Sequence, residues 1–204
     1  MIRSLYNSVQ GIIKSSFVTL LLAFLSLFIL RIIYIIKNKE KFILYREILF
    51  LIFAFYTVCL FEVVTVSDIN TLSGNNFIPF VEILRYKPFE RLFIKNIVGN
   101  VVMFIPLGIF LGRYTKGKRT IFLLILTILT SVSIECTQLL IGRVFDVDDI
   151  ILNVSGGVIG YILYLFCKVI YMILPTWLKT EKKKNIFATL LLVVITLVII
   201  NMLL

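Results

Sequence analysis

The chain has 204 residues, of which 60% are hydrophobic and only 16% charged, with a mean hydropathy of +1.07. Soluble domains carry about 25% charged residues, so this composition excludes a soluble fold and points to an integral membrane protein. There is no His, which excludes His-based acid/base catalysis and His-ligated zinc or haem, and the formal charge of +10 falls in short clusters between apolar runs, a pattern of lipid-facing loops rather than of a nucleic-acid surface.

A spanning helix needs about 20 mostly apolar residues. Six stretches qualify: 15–36, 47–66, 96–111, 120–141, 149–174 and 186–204. They predict an all-α, polytopic transmembrane bundle of about six spans. The first run is too long for a signal sequence and no small-residue cleavage site follows it. Glu62 lies near the end of the second span and either snorkels or joins other polar groups. The third is short, contains Pro106 and is the least regular. Cys59, Cys136 and Cys167 sit inside apolar runs without metal spacing and read as small apolar fillers, Cys136 having the one claim to a site as the neighbour of Glu135.

Charge orients the spans. Lys37, Lys39, Lys41 and Arg46 follow the first; Arg113, Lys116, Lys118 and Arg119 follow the third; Lys179, Lys182, Lys183 and Lys184 follow the fifth. These alternate loops hold twelve of the 21 basic residues and are expected to face the cytoplasm. The opposite side then takes the loop 67–95 and the turn 142–148. Within that loop, NNFIPFVEILRYKPFERLF (75–93) mixes Phe, Ile and Leu with Arg85, Lys87 and Arg91. It reads either as a segment lying in the head-group layer or as a cap over the helix ends.

Polar residues converge on that same side. Asn96 and Asn100 are spaced i, i+4 at the start of the third span, Glu135 and Gln138 i, i+3 near the end of the fourth, and Asp149 and Asn153 i, i+4 at the start of the fifth. Arg143, Asp146 and Asp148 occupy the connecting turn. A carboxylate in hydrocarbon costs about 2.5–3.5 kcal/mol on insertion scales, so Glu135 should face protein or water, with Arg143 its expected partner. A structural account exists: a Glu–Arg clamp with Asn and Gln crosslinks could hold three helices together, and one aspartate could cap the fifth. Three aspartates exceed what a cap needs, which favours a functional site. Gly156 and Gly160, like Gly108 and Gly112, form small-xxx-small faces that suit close helix packing.

NIVGNVVMFIPLGIFLG (96–112) and IECTQLLIGRVFDVDDIILNVSGGVIGY (134–161) together resemble the VanZ family of bacterial membrane proteins. The elements that carry the likeness are Asn96, Asn100, Phe104, Pro106 and Gly108; Glu135 and Gln138; Gly142 and Arg143; Asp146, Asp148 and Asp149; and Asn153, Gly156 and Gly160. NFIPF (76–80) resembles the family's outer-loop element. The resemblance covers roughly residues 70–172 and divides the chain into N-terminal helices (1–69), a VanZ-like core (70–174), and a basic loop with a last helix (175–204). It implies a multi-pass protein of the bacterial cell membrane. The family takes its name from a protein associated with resistance to teicoplanin, and its members have been proposed to act on lipid head groups. On that reading Glu135, with Asp148 and Asp149, is the candidate acid/base group. Arg143, Gln138, Asn96, Asn100 and Asn153 would hold a membrane lipid or lipid-linked cell-wall precursor through its phosphate. Asp146, Asp148 and Asp149 could hold a divalent cation, and Ser155 or a water is the available nucleophile. The alternative is a non-catalytic protein binding an amphipathic antibiotic or wall precursor. Nucleic acid is not an expected partner, and the sequence leaves the oligomeric state open.

Overall fold

A computed structural model describes the backbone of residues 2–66 and 74–203, with side chains described from Val18 onward in most of the chain. The Glu62 side chain and the start of the expected outer loop lie outside the described residues. The fold is all-α: α1 (Ile2–Lys37), α2 (Leu44–Val66), two short turns α3 (Val81–Arg85) and α4 (Arg91–Phe93), α5 (Gly99–Tyr114), α6 (Thr120–Leu140), α7 (Val147–Ile173) and α8 (Glu181–Leu203). A π turn over Ile94–Val98 joins α4 to α5, so the third span runs from Arg91 to Tyr114, longer than its apolar core indicates. Among the described residues five helices are long and apolar enough to cross a membrane. The first expected span lies in α1, whose early side chains are not among those described.

The chain forms two compact units, Met1–Val63 with Leu174–Leu204, and Val64–Ile173. In the first, Arg31 of α1 grips Glu47 of α2 with two bonds, Nε to Oε2 at 2.8 Å and Nη2 to Oε1 at 3.0 Å. The Arg31 guanidinium lies 5.3 Å from the ring centres of both Tyr34 and Phe50, which shield the pair. The Asn185 side-chain oxygen accepts from the Tyr45 amide at 3.0 Å and ties the start of α8 to that of α2.

The second unit is built on α5, α6 and α7, and its tightest seam is α5 against α7. Glycine permits the approach: a Cβ on Gly156 would stand 2.1 Å from the Val101 carbonyl oxygen, and one on Gly160 2.0 Å from that of Ile105. From the other side, a Cβ on Gly108 would meet the Gly157 carbonyl oxygen at 2.0 Å. Pro106 sits inside α5 and withholds one donor from that helix. Thr127, Ser131, Glu135 and Gln138 line one buried stripe of α6 at helical spacing. At the basic end, the Tyr161 hydroxyl donates to the Gly117 carbonyl at 3.1 Å and Lys168 donates to that of Lys116 at 2.9 Å, fastening the α5–α6 turn to α7.

Candidate functional site

The site lies where α6 ends and α7 begins. After Leu140 the backbone turns through Gly142, whose φ of 83° is the left-handed conformation that glycine adopts without strain. The Gly142 amide bonds the Leu139 carbonyl at 3.2 Å and the Arg143 amide reaches back to that of Gln138 at 2.9 Å. This pair of bonds is the Schellman pattern, and it delivers Arg143 beside the last turn of α6. With the Gln138 amide oriented so that both its ends are paired, its nitrogen donates to Glu135 Oε1 at 3.1 Å and its oxygen accepts from Arg143 Nη1 at 2.9 Å. Gln138 therefore bridges the acid and the base. Glu135 is only 1% exposed, and its second oxygen accepts from the Asp146 backbone amide at 3.0 Å.

Asp149 projects from the first turn of α7, where its carboxylate accepts from the Asn100 side chain of α5. Arg143 is near enough to act electrostatically on both Glu135 and Asp149, and Asp146 repels both. Two buried carboxylates, Glu135 and Asp149, thus share the field of the Arg143 guanidinium. One turn deeper, Asn153 donates to the Ser131 hydroxyl at 2.9 Å, and its own Oδ1 is buried without a hydrogen-bond partner.

The remaining aspartates have a different duty. Asp148 is buried and its carboxylate accepts from three backbone amides of the outer loop: Phe80, Glu82 at 2.8 Å and Ile83 at 3.1 Å. It fastens the start of α3, where Phe80 takes a left-handed φ of 69°. Asp146 Oδ1 accepts from the Asn76 side chain at 2.8 Å and from the Asp148 amide at 2.9 Å. Beside it the Asn76 backbone donates to the Phe145 carbonyl at 2.8 Å and accepts from the Val147 amide at 3.0 Å, forming a single parallel bridge. The NFIPF segment is thereby latched onto the α6–α7 turn. Burial pushes the Asp146 carboxyl above its ordinary value, opposed by the Asp148 amide and the Asn76 side chain and reinforced by the charges of Asp148 and Glu82.

The structure brings together Glu135, Gln138, Arg143, Asp149 and Asn100, and gives the other candidates different partners. Asp146, Asp148 and Asp149 could hold a cation by the sequence; in the fold both oxygens of Asp148 and Oδ1 of Asp146 accept from the outer loop, and Asp149 faces Asn100. Among the described residues no group of three acidic or cysteine side chains could hold a metal ion. Asp148, expected among the acid/base groups, is a latch, because its lone pairs already meet three amides. Asn96 donates to the Tyr86 hydroxyl at 2.8 Å, so it serves the outer loop while Asn100 serves Asp149. Ser155 is exposed on the far side of α7 and donates to the Ile151 carbonyl at 2.7 Å, and Cys136 is exposed while its neighbour Glu135 points inward. Ser131 was missed. Its signal was available: it stands four residues before Glu135 on the same stripe of α6.

No curated protein and no solved structure matches the chain. Residues 42–174 match the VanZ/LLP1 family, a span that takes in α2, the outer loop and the whole bundle that carries Glu135, Arg143 and Asp149. With more than half its length inside that match, the chain is a membrane protein belonging to the VanZ/LLP1 family.

Proposed function

We propose that this polar end binds, and modifies, the phosphate-bearing head group of a membrane lipid or lipid-linked cell-wall precursor. On this reading the protein is a multi-pass component of the bacterial cell membrane with the polar end outward, in keeping with the basic turn between α5 and α6 at the other end of the same unit. The single observation that carries it is the Glu135–Gln138–Arg143 bridge beside Asp149. A guanidinium at the mouth of an apolar bundle suits a phosphate, to which it can offer two parallel donors. A buried carboxyl held next to that cation suits proton transfer to or from the bound group. Asn100 and Gln138 orient the two acids, and the unpartnered Asn153 oxygen supplies a further acceptor in the floor of the cluster. A change in the amount of such a lipid at the cell surface would be the route to any effect on teicoplanin.

Mass spectrometry of total lipids and lipid-linked wall precursors, from cells expressing the wild type or Glu135→Gln, tests the reading. The glutamine variant keeps the size of the side chain but sets an amide NH2 against one of two donors, the Asp146 amide or Gln138. Equal membrane levels of the two proteins therefore serve as the folding control. A species whose abundance changes only with the wild type is the expected result and names the substrate class. Identical profiles at equal protein levels would reject turnover and leave binding alone, of a wall precursor or an amphipathic antibiotic.

A further inference from the structure

The outer loop has a face that the latch does not use. Asp148 takes the amides of Glu82 and Ile83, which turns the opposite side of α3 outward, and there Phe80, Val81 and Leu84 are exposed. Leu84 is 82% exposed and Phe89, a few residues on, 87%. Ile78 and Leu92 extend the same apolar display, and Phe77, itself exposed, stacks on Phe145 with ring centres 5.4 Å apart. Arg85, Lys87, Arg91 and Lys95 are exposed among them; Arg85 pairs with Glu82 at 3.1 Å across one turn of α3 and keeps most of its side chain exposed, and Glu90 is the other acid.

Contiguous exposed apolar surface in a protein marks something that covers it. Here it is held in place by six hydrogen bonds, one to Asp146, three to Asp148 and two in the Asn76 bridge, so it is not an incidental disorder of a linker. Those bonds also fix its level. They tie residues 76–83 directly to the first turn of α7 and the end of α6, the point at which two membrane-crossing helices leave the apolar layer. An element at that level, with aromatic and aliphatic side chains on one face and an excess of Arg and Lys among them, matches the chemistry of the head-group layer, where apolar side chains dip toward the acyl chains and cations meet phosphates.

We propose that residues 77–92 lie immersed in the head-group layer of the leaflet at the polar end, with Phe80, Leu84 and Phe89 inserted and Arg85, Lys87 and Arg91 on the phosphates of anionic phospholipid. This excludes the alternative of a cap packed over the helix ends, since these apolar side chains face away from the bundle. The inference stands apart from turnover at Glu135: the loop can be immersed whether or not the cluster modifies a lipid.

The full chain in bilayer nanodiscs provides the test. Trp177 is the sole tryptophan, so a Trp177→Phe background carries one reporter at a time. Phe89→Trp and Leu84→Trp report on the loop, and Phe166→Trp, lipid-facing within α7, calibrates depth. Both loop reporters should emit to the blue, resist iodide and be quenched most by lipids brominated near the head group, whereas the α7 reporter should be quenched most by deeper bromines. Brominated phosphatidylglycerol should quench the loop reporters at least about twofold more than brominated phosphatidylcholine at equal mole fraction, and that excess should vanish when Arg85, Lys87 and Arg91 are changed together to Gln. Red emission with ready iodide quenching at both loop positions would overturn immersion. Blue emission without bromolipid quenching would overturn it too, in favour of a second copy of the chain covering the loop. Equal quenching by the two head groups with the cations intact would overturn the anionic partner.

Discussion

Two arginine–carboxylate groupings, one in each unit, are made from the same residue types and end in different states. Arg31 meets Glu47 directly, fork to carboxylate, with the exposed Glu40 a looser second acid at 3.5 Å, and two aromatic rings close over the cation. Every oxygen of Glu47 is answered by the charge that faces it. Arg143 meets Glu135 through Gln138 and shares its charge with Asp149, while Asp146 repels both acids. One cation there serves two buried acids. The difference separates a fastening from a site: a carboxylate gripped directly by both prongs of an arginine holds helices together, and a cation that reaches one buried acid only through an amide and shares its charge with a second can exchange partners with an incoming anion. Asp148, with its three amides, belongs with Glu47 in the first class although it neighbours Asp149 in sequence.

Removing a closed carboxylate should therefore give the largest change. Asp148→Ala leaves three loop amides without their acceptor, and bonds to a charged group contribute about 1.5–3 kcal/mol each. Allowing for amides that reach water once the loop lifts, a loss of about 3–5 kcal/mol is expected, with residues 76–85 losing amide protection first in hydrogen exchange. Protection unchanged across that segment would show that the loop is held by something other than Asp148. Arg31→Ala comes next. Stranding a buried acid costs about 3–5 kcal/mol, and the quarter exposure of the Arg31 side chain brings the expectation to about 2–3 kcal/mol, read as the unfolding midpoint in detergent.

Arg143→Ala should invert that balance. Because its charge is shared, its loss should lower stability by no more than about 1 kcal/mol, in the range of a single ordinary hydrogen bond. Retention of phosphatidylglycerol in native mass spectra of the purified protein should fall about tenfold or more, the effect of losing about 1.4 kcal/mol or more of charge-assisted contact. A stability loss as large as that of Arg31→Ala, with lipid retention unchanged, would place Arg143 among the fastenings and erase the difference between the two groupings.

The helices were legible in the sequence because the apolar runs set them: the ends of α6 and α7 fall within a residue or two of the boundaries read from hydropathy. The glycine seam was equally legible from small-xxx-small spacing. What spacing could show of the site was which residues share a helix face, so Glu135 with Gln138 was readable. Long-range pairing was not. Asp148 finds its partners more than sixty residues earlier, and they are backbone amides, which leave no side-chain signature at positions 80, 82 and 83. Arg31 and Glu47 lie on separate helices, and nothing local links them. A string of three aspartates looks like one cation site in sequence because neighbouring letters hide that successive side chains on a turn and a helix start point in different directions. The π turn before Gly99 has no mark that sets it apart from the apolar run it opens, and it comes just ahead of Asn100, which pairs with Asp149, while Asn96 within it pairs with Tyr86.

Asp146 lies between the two classes and gives the smallest effect. Its carboxylate accepts two hydrogen bonds, yet burial holds it above its ordinary value, so the folded chain binds a proton that the unfolded chain has already released. The stability this contributes is fully present below the unfolded value of 3.8 and is lost as pH rises through the raised folded value. Asp146→Asn keeps an oxygen to accept from Asn76 and the Asp148 amide and cannot ionise. The wild type should accordingly lose ground to the variant as pH climbs from about 4, then run parallel to it once the folded carboxyl has ionised. The gap between the two proteins should widen by about 1.4 kcal/mol for every tenfold weakening of the carboxyl as an acid on folding. Unfolding midpoints of the two proteins in matched detergent, taken at closely spaced pH values, would display that divergence. A wild type that instead gains on the variant over the same range would show that the two hydrogen bonds outweigh burial, and would move Asp146 to the side of Glu47 and Asp148.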